Sequence, residues 1–420
     1  MSNSVHELVQ LATQAAKSGN WQQAEQAWLD VIAIQPAHAQ ALCSLGMHAM
    51  QRADLDTALQ RLESAREAAP RDYLTLMTLA AVHRQRKDAP AEREALDAAL
   101  AVDPYFVPAL LAKADWMERF STPVAAAAIF RNVLAISPPE KDWPADFRSQ
   151  LTHARDVVRR HTGAMQHHLE RSLGDTISKL PDAQAQRWRE AVAIRSGQSA
   201  PFMSMSNQLC VPRLPAIPFF AREQFPFLDR LEAKTDVIRD ELKSAIATDI
   251  EKFQPYIAYK PGDPVNQWRE LNHSERWSAF HLWRNGNPDT ENLAKCPETA
   301  KALQSVELAG IDGLCPNVFF SALQPHTHIP PHYGESNARV IAHLPLIVPG
   351  KCRFRVGFEE REWRVGETLI FDDTIEHEAF NDSDELRVVL IFDLWNPLLS
   401  DAERHLASRL AAATREFGNS

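Results

Sequence analysis

The chain has 420 residues, a formal net charge of −10, 45% apolar and 24% charged residues, which is the composition of a folded protein with more than one core. The acidic balance argues against a nucleic-acid partner, and no run approaches the 18 consecutive apolar residues of a membrane-spanning helix. Five widely spaced cysteines (Cys43, Cys210, Cys296, Cys315 and Cys352) form no CxxC pair and the start, MSNSVHELVQ, shows no signal-peptide pattern, so reduced thiols in a cytoplasmic protein are expected.

The first third repeats. Prolines stand at Pro36, Pro70, Pro104 and Pro138, at equal intervals. Twelve positions before each lie Ala24, Ala58, Glu92 and Ala126; eight before lie Trp28, Leu62, Leu96 and Phe130; further back, again in step, lie Leu8, Leu42, Leu76 and Leu110. Small residues let paired helices approach, large ones fill the groove, and proline ends the second helix. This pattern resembles the tetratricopeptide repeat, whose period is about 34 residues. Its third unit carries Glu92 where the others have alanine, so looser packing is expected there. Such units bury their apolar faces only by stacking, and the resemblance implies a surface for a protein or peptide partner.

From 139 to 198 the pattern stays helical, with Gly197 as a stop and the adjacent His167 and His168 expected in solvent. Residues 1–198 are thus one helical domain. Five prolines between Pro201 and Pro226 make 199–226 a linker and entry segment to the second domain. Residues 227–420 form the second domain. It opens with a helix over 228–247. Short β-branched and aromatic segments then follow: NVFFSALQ, ARVIAHLPLIVP, CRFRV, REWRV, ETLIFDD and ELRVVLIFDLW. They predict a sandwich or barrel, and a helix from Leu399 closes the chain. The fold class is α+β multidomain, an α-solenoid followed by a jelly-roll-like β domain. Eight of the 14 glycines fall between Gly262 and Gly366, and five of the 16 histidines between His326 and His377, so the chemistry is expected here.

His332 is expected in a turn after two prolines, and His377 just after a strand. A barrel can bring two such histidines together, and two imidazoles with open positions suit an Fe(II) oxygenase. The carboxylate that usually completes such a site, two residues after the first histidine, is here Gly334. His326 and His328 are expected at the rim, Asp372 and Asp373 bonded to their turn, and Glu376 pointing away from His377.

The stretch from about 211 to 400 resembles the aspartyl/asparaginyl β-hydroxylase family of Fe(II)- and 2-oxoglutarate-dependent dioxygenases. LPAIPFF, VIRDEL and WSAFHLWRNG carry the likeness, which is densest from Ser321 to Pro397. In that family a glycine replaces the acid, so Gly334 supports the match. The resemblance implies a double-stranded β-helix with Fe(II), 2-oxoglutarate and O2 as cofactor and cosubstrates. His332 and His377 become metal ligands, with water or a nearby carboxylate in the third position. Arg387 and Ser321 would take the distal carboxylate of 2-oxoglutarate, His343 the carboxylate beside the keto group, and Trp283 would wall the pocket. Arg339 and Asn285 are assigned to substrate. The family's R-x-R-x-H pattern reads Arg339-Val340-Ile341-Ala342-His343, so its second arginine is isoleucine. The implied reaction is β-hydroxylation of aspartyl or asparaginyl residues in a polypeptide held by the repeats, with release of succinate and CO2. Hydroxylation of a lipid acyl chain and a non-catalytic repeat adaptor are the alternatives.

Overall fold

The computed structural model describes residues 4–418 and divides into two units, Met1–Ala200 and Pro201–Ser420. In the first, the even period becomes four helical hairpins among the described residues: Val5–Lys17 with Trp21–Ile34, Ala39–Gln51 with Leu55–Ala68, Tyr73–Arg86 with Ala89–Val102, and Val107–Phe120 with Pro123–Ile136. The second helix of each begins behind Asn20, Asp54, Asp88 or Thr122, whose side chains accept an N–H of the first turn and so satisfy a donor the helix cannot pair itself. These caps recur with the same period as the prolines. Ala24, Ala58 and Ala126 are fully buried, with Trp28, Leu62, Leu96 and Phe130 beside them.

Glu92 does not loosen its hairpin. It is buried and ion-paired with Arg119 on the next hairpin. At Gly46 a Cβ would lie 2.6 Å from Leu62 Cγ, so only glycine permits this helix contact. Gly46→Val should cost roughly 1–3 kcal/mol, read as a lower urea midpoint for the helical unit; an unchanged midpoint would disprove the close contact. Helices Arg148–Ile177 and Asp182–Ser196 follow, the second ended by Gly197 at φ 84°, and His167 and His168 are exposed.

In the second unit, residues 201–226 are no free linker: Leu209 bridges Ser336, Phe219 bridges Phe371, and Phe219 and Phe220 are buried. The expected helix 228–247 is two, Leu228–Glu232 and Thr235–Thr248. Among the described residues eleven strands follow: β1 Gln254–Pro255, β2 Trp277–Arg284, β3 Asn287–Pro288, β4 Val318–Leu323, β5 Thr327–His332, β6 Arg339–Ile347, β7 Cys352–Val356, β8 Glu359–Glu362, β9 Leu369–Phe371, β10 His377–Asn381 and β11 Arg387–Trp395. One sheet runs β1-β2-β4-β11-β6-β9 with β3 on β2; the other runs β5-β10-β7-β8, and all pairings are antiparallel.

His332 therefore ends a strand instead of lying in a turn. Pro330 and Pro331 are tolerated because β5 is an edge strand, where missing N–H groups break no second ladder. REWRV is strand only to Glu362; Trp363 turns inward and is buried. The outer face of the large sheet packs on Leu228, Leu231, Ile238 and Leu242. Its inner face and the small sheet share a second core around Phe354, Phe371 and Trp277. Helix Asp401–Gly418 closes the unit. Among the described residues no helix is long and apolar enough to cross a membrane, and all five cysteines are unpaired.

Candidate active site

A cavity of about 470 Å³ opens between the two sheets of the second unit. His332 and His377 both line it, paired in register across β5 and β10 with ring centroids 4.0 Å apart. Each ring is oriented by a backbone carbonyl: His332 Nδ1 lies 2.8 Å from Pro330 O, and His377 Nδ1 3.0 Å from Ile375 O. A carbonyl only accepts, so Nδ1 carries the proton and the lone pair is on Nε2. Burial pushes the two rings down to about 3 and about 4, so both are neutral at physiological pH. Two neutral imidazoles with free Nε2 atoms are what a metal of the iron or zinc kind takes. Among the described residues no cluster of three or more His, Cys, Asp or Glu side chains is arranged to hold an ion.

Gly334 sits beside this pair. Its N–H donates to Asp373 O at 2.6 Å. A Cβ there would lie 1.9 Å from Asp373 Oδ2, so the space a side chain at 334 would need already holds a carboxylate from the neighbouring loop. Asp372 bonds to its turn as expected, accepting from Thr374 N at 2.9 Å. Asp373 does not: its Oδ2 takes Arg339 Nη1 at 2.8 Å, and its Oδ1 is buried without a partner. Arg339 also lies 3.4 Å from both Asp393 and Glu335. It lines the cavity, but three carboxylates surround it and it offers substrate no unpaired charge. Glu376 points to Arg355 at 3.0 Å.

Arg387 is 2% exposed, and among the described residues no carboxylate pairs with it. Nη1 reaches Ser321 O at 3.3 Å, Nε has no partner, and the guanidinium lies 4.8 Å from the Trp363 ring centroid. Burial pulls its pKa down to about 10. A buried cation without a counter-charge is costly unless a ligand supplies one. Ser321, on the adjacent strand, accepts Trp277 Nε1 at 3.1 Å and keeps its own proton to donate. His343 takes Trp363 Nε1 on Nδ1 at 3.3 Å, which places its proton on Nε2; burial holds it well below the ordinary histidine range. The cavity thus brings together a guanidinium, a hydroxyl and an imidazole N–H, a donor set that fits a dicarboxylate.

Trp283 is not among these walls. Period-2 alternation from Trp277 would put it on the cavity face, but a bulge between His281 and Trp283 reverses the phase. Trp283 packs into the outer core. Trp277, stacked on Tyr256 at 4.2 Å, walls the cavity with Trp268, and the same bulge turns Arg284 inward. Asn285 lies at the rim at φ 51°, its N–H donating to Asn317 Oδ1 at 2.9 Å. His326 and His328 lie outside: His326 meets Asp384 at 2.9 Å, and His328 meets Glu378 at 2.8 Å and stacks on Phe380. The sequence reading missed Trp277, Trp363 and Asn207, and it placed Asp373 on its own turn instead of on Arg339. The indoles at 277 and 363 could have been flagged by their places in the aromatic segments; Asn207, in the proline-rich stretch, carries no such signal.

Residues 232–397 match the family model described as Aspartyl/Asparaginyl beta-hydroxylase. "Aspartate beta-hydroxylase domain-containing protein 2" of Xenopus tropicalis is 32% identical over 210 residues, 49% of this chain and 54% of that protein. The mouse "Aspartyl/asparaginyl beta-hydroxylase" is 30% identical over 237 residues, 55% of this chain and 30% of that protein. The "Ornithine lipid ester-linked acyl 2-hydroxylase" of Rhizobium tropici is 34% identical over 190 residues, 44% of this chain and 63% of that protein. The match therefore spans less than two thirds of each of these relatives.

Proposed function

The C-terminal unit belongs to the aspartyl/asparaginyl β-hydroxylase family, and from that premise we propose that the protein is an Fe(II)- and 2-oxoglutarate-dependent dioxygenase hydroxylating the β-carbon of an aspartyl or asparaginyl residue in a polypeptide. The observation that carries the reading is Arg387, buried with no counter-anion among the described residues, in the same cavity as two neutral histidines with free Nε2 atoms. His332 and His377 would hold the iron. Arg387 and the Ser321 hydroxyl would hold the distal carboxylate, and His343 Nε2–H the proximal one. Bound there, the iron would activate O2 at the expense of 2-oxoglutarate, releasing succinate and CO2. Trp268, Trp277 and Phe371 line the cavity with apolar surface that limits water around the reacting groups. Tetratricopeptide-like hairpins commonly present peptide-binding surfaces, and the repeat unit would hold the polypeptide. The five unpaired thiols support a cytoplasmic setting.

A second reading has its own observation. Ile341 lines the cavity, and Arg339 is occupied by three acids, so no unpaired arginine at 339 or 341 meets a substrate carboxylate. An acyl chain fits that surface, and one relative is named as an acyl hydroxylase.

Anaerobic addition of Fe(II) and 2-oxoglutarate should produce the weak visible charge-transfer band of a bidentate chelate. The band should vanish in His377→Ala and survive in His328→Ala. A wild-type protein without the band would end both enzymatic readings. Mass spectrometry for the gain of one oxygen atom then separates them, since succinate release with lipid modified and peptides untouched would favour the acyl reading.

A further inference from the structure

Residues 203–211 precede the residues that the family model matches, 232–397, yet they run along both loops that carry the metal-site positions. Met205 N–H donates to Thr374 O at 2.7 Å, and the Ser204 and Thr374 hydroxyls meet at 2.6 Å. Asn207 N–H donates to Gly334 O at 3.1 Å, while its Nδ2 donates to Tyr333 O at 2.9 Å. The N–H groups of Gln208 and Leu209 converge on Glu335 O at 3.0 and 3.1 Å. Asn337 closes the far end with two bonds to Val211, at 2.7 and 2.8 Å. The segment is a strap. One end is tied to the loop before His377, the rest to the loop after His332.

Gly334 shows why this bears on chemistry. It has no side chain, so only its backbone fixes its place. Its N–H is held by Asp373 O on one side and its carbonyl by the Asn207 backbone N–H on the other, while the Asn207 side chain holds the carbonyl of the preceding Tyr333. In a three-ligand site the residue at this position would be anchored by its own bond to the metal. With glycine there, that anchor is replaced by two hydrogen bonds, one of which comes from the strap. Asn207 also lines the cavity.

We propose that Asn207 is a positioning residue of the metal site, and that the strap 203–211 sets the spacing between the His332–Gly334 and Asp373–His377 loops. The proposal rests on the reading of this cavity as a metal site, and its test separates the two.

The probe is Co(II), followed by its visible absorption in the full-length protein, together with hydrogen exchange of the amides at 333–337 in metal-free protein. Asn207→Ala keeps the backbone bond to Gly334 O and removes the Nδ2 bond to Tyr333 O beside it; it should bind Co(II) about tenfold more weakly, the low end of what loss of an outer-shell partner costs. It should also alter the Co(II) spectrum and speed exchange at 333–337. Asn207→Ser, which still offers a short donor, should recover part of both effects. Leu406→Ala, at an exposed residue of the closing helix away from the strap, should match wild type. Thermal melts identify any variant that has lost its fold, in which case the Asn207→Ser comparison decides. Co(II) affinity in Asn207→Ala within about twofold of wild type, with unchanged exchange, overturns the proposal. If wild type binds no Co(II), the metal reading fails, and faster exchange in Asn207→Ala still supports the strap's hold on the loop.

Discussion

Arg387→Met is expected to make the ligand-free protein more stable while removing its response to 2-oxoglutarate. The wild-type guanidinium is 2% exposed, lacks a carboxylate partner and leaves Nε unpaired. Replacing even a paired set of buried charges with apolar side chains of similar volume can stabilise by about 1–4 kcal/mol, and Arg387 has no ion-pair attraction among the described residues to lose. Arg387 sits among Trp363, His343 and Ser321, where methionine can pack without a charge to solvate. The opposite effect appears with ligand. A buried arginine facing a carboxylate contributes roughly 2–5 kcal/mol to binding, measured by truncation, so the variant should lose at least about thirtyfold in affinity. Melting curves in the presence of metal, with and without 2-oxoglutarate, carry both halves. Wild type should rise in Tm on ligand addition, and Arg387→Met should start higher and not move. Arg387→Lys should fall between them, since it keeps the charge but loses the planar fork. A variant that melts below wild type yet still shifts with 2-oxoglutarate would show that Arg387 is a structural residue with no ligand role.

Gly334→Asp, which would restore the usual acid two residues after the first histidine, is expected to damage the protein. The new Cβ would fall 1.9 Å from Asp373 Oδ2, so Asp373 must leave its place. That breaks its 2.8 Å bond to Arg339, which is 4% exposed. Removing one partner of a buried pair costs about 3–5 kcal/mol. The double variant Gly334→Asp/Asp373→Gly should regain much of this, because the clash is gone and a carboxylate is again close to Arg339. Urea unfolding gives the stabilities, and Co(II) titration shows what each variant binds. A single variant as stable as wild type, with tighter metal binding, would mean that the Gly334–Asp373 contact imposes no constraint.

What could be read before the structure depended on how local the cause was. The repeat period is written into the chain by prolines and alanines that act within one hairpin, and the hairpins follow it closely. The strand segments from 318 onward were legible for the same reason, through β-branched and aromatic runs. His332, His377, Ser321, His343 and Arg387 were picked out by their places in those runs and by family likeness, and all five line one cavity. The turn of Trp283 away from the cavity was not legible, because it depends on a bulge, and Leu282, between His281 and Trp283, announces no extra step in the ladder. Arg339 looked free because its partners Asp373 and Asp393 lie far along the chain and meet it only in the folded domain. The prolines before His332 suggested a turn, and only the sheet order shows that β5 is an edge.

The strap also bears on what counts as a transferable module. Residues 232–397 carry both histidines, Arg387 and Ser321, and by the span of the family model alone they look like a piece that could be grafted elsewhere. Cut at 232, however, the piece would lose Asn207's grip on Gly334, and also Phe219 and Phe220, which fill its two cores. The structural unit that carries the chemistry therefore begins near Pro201, ahead of the residues that the family model matches. Gene fusions or truncations intended to move the chemistry should keep that leading stretch with the histidines it holds in place.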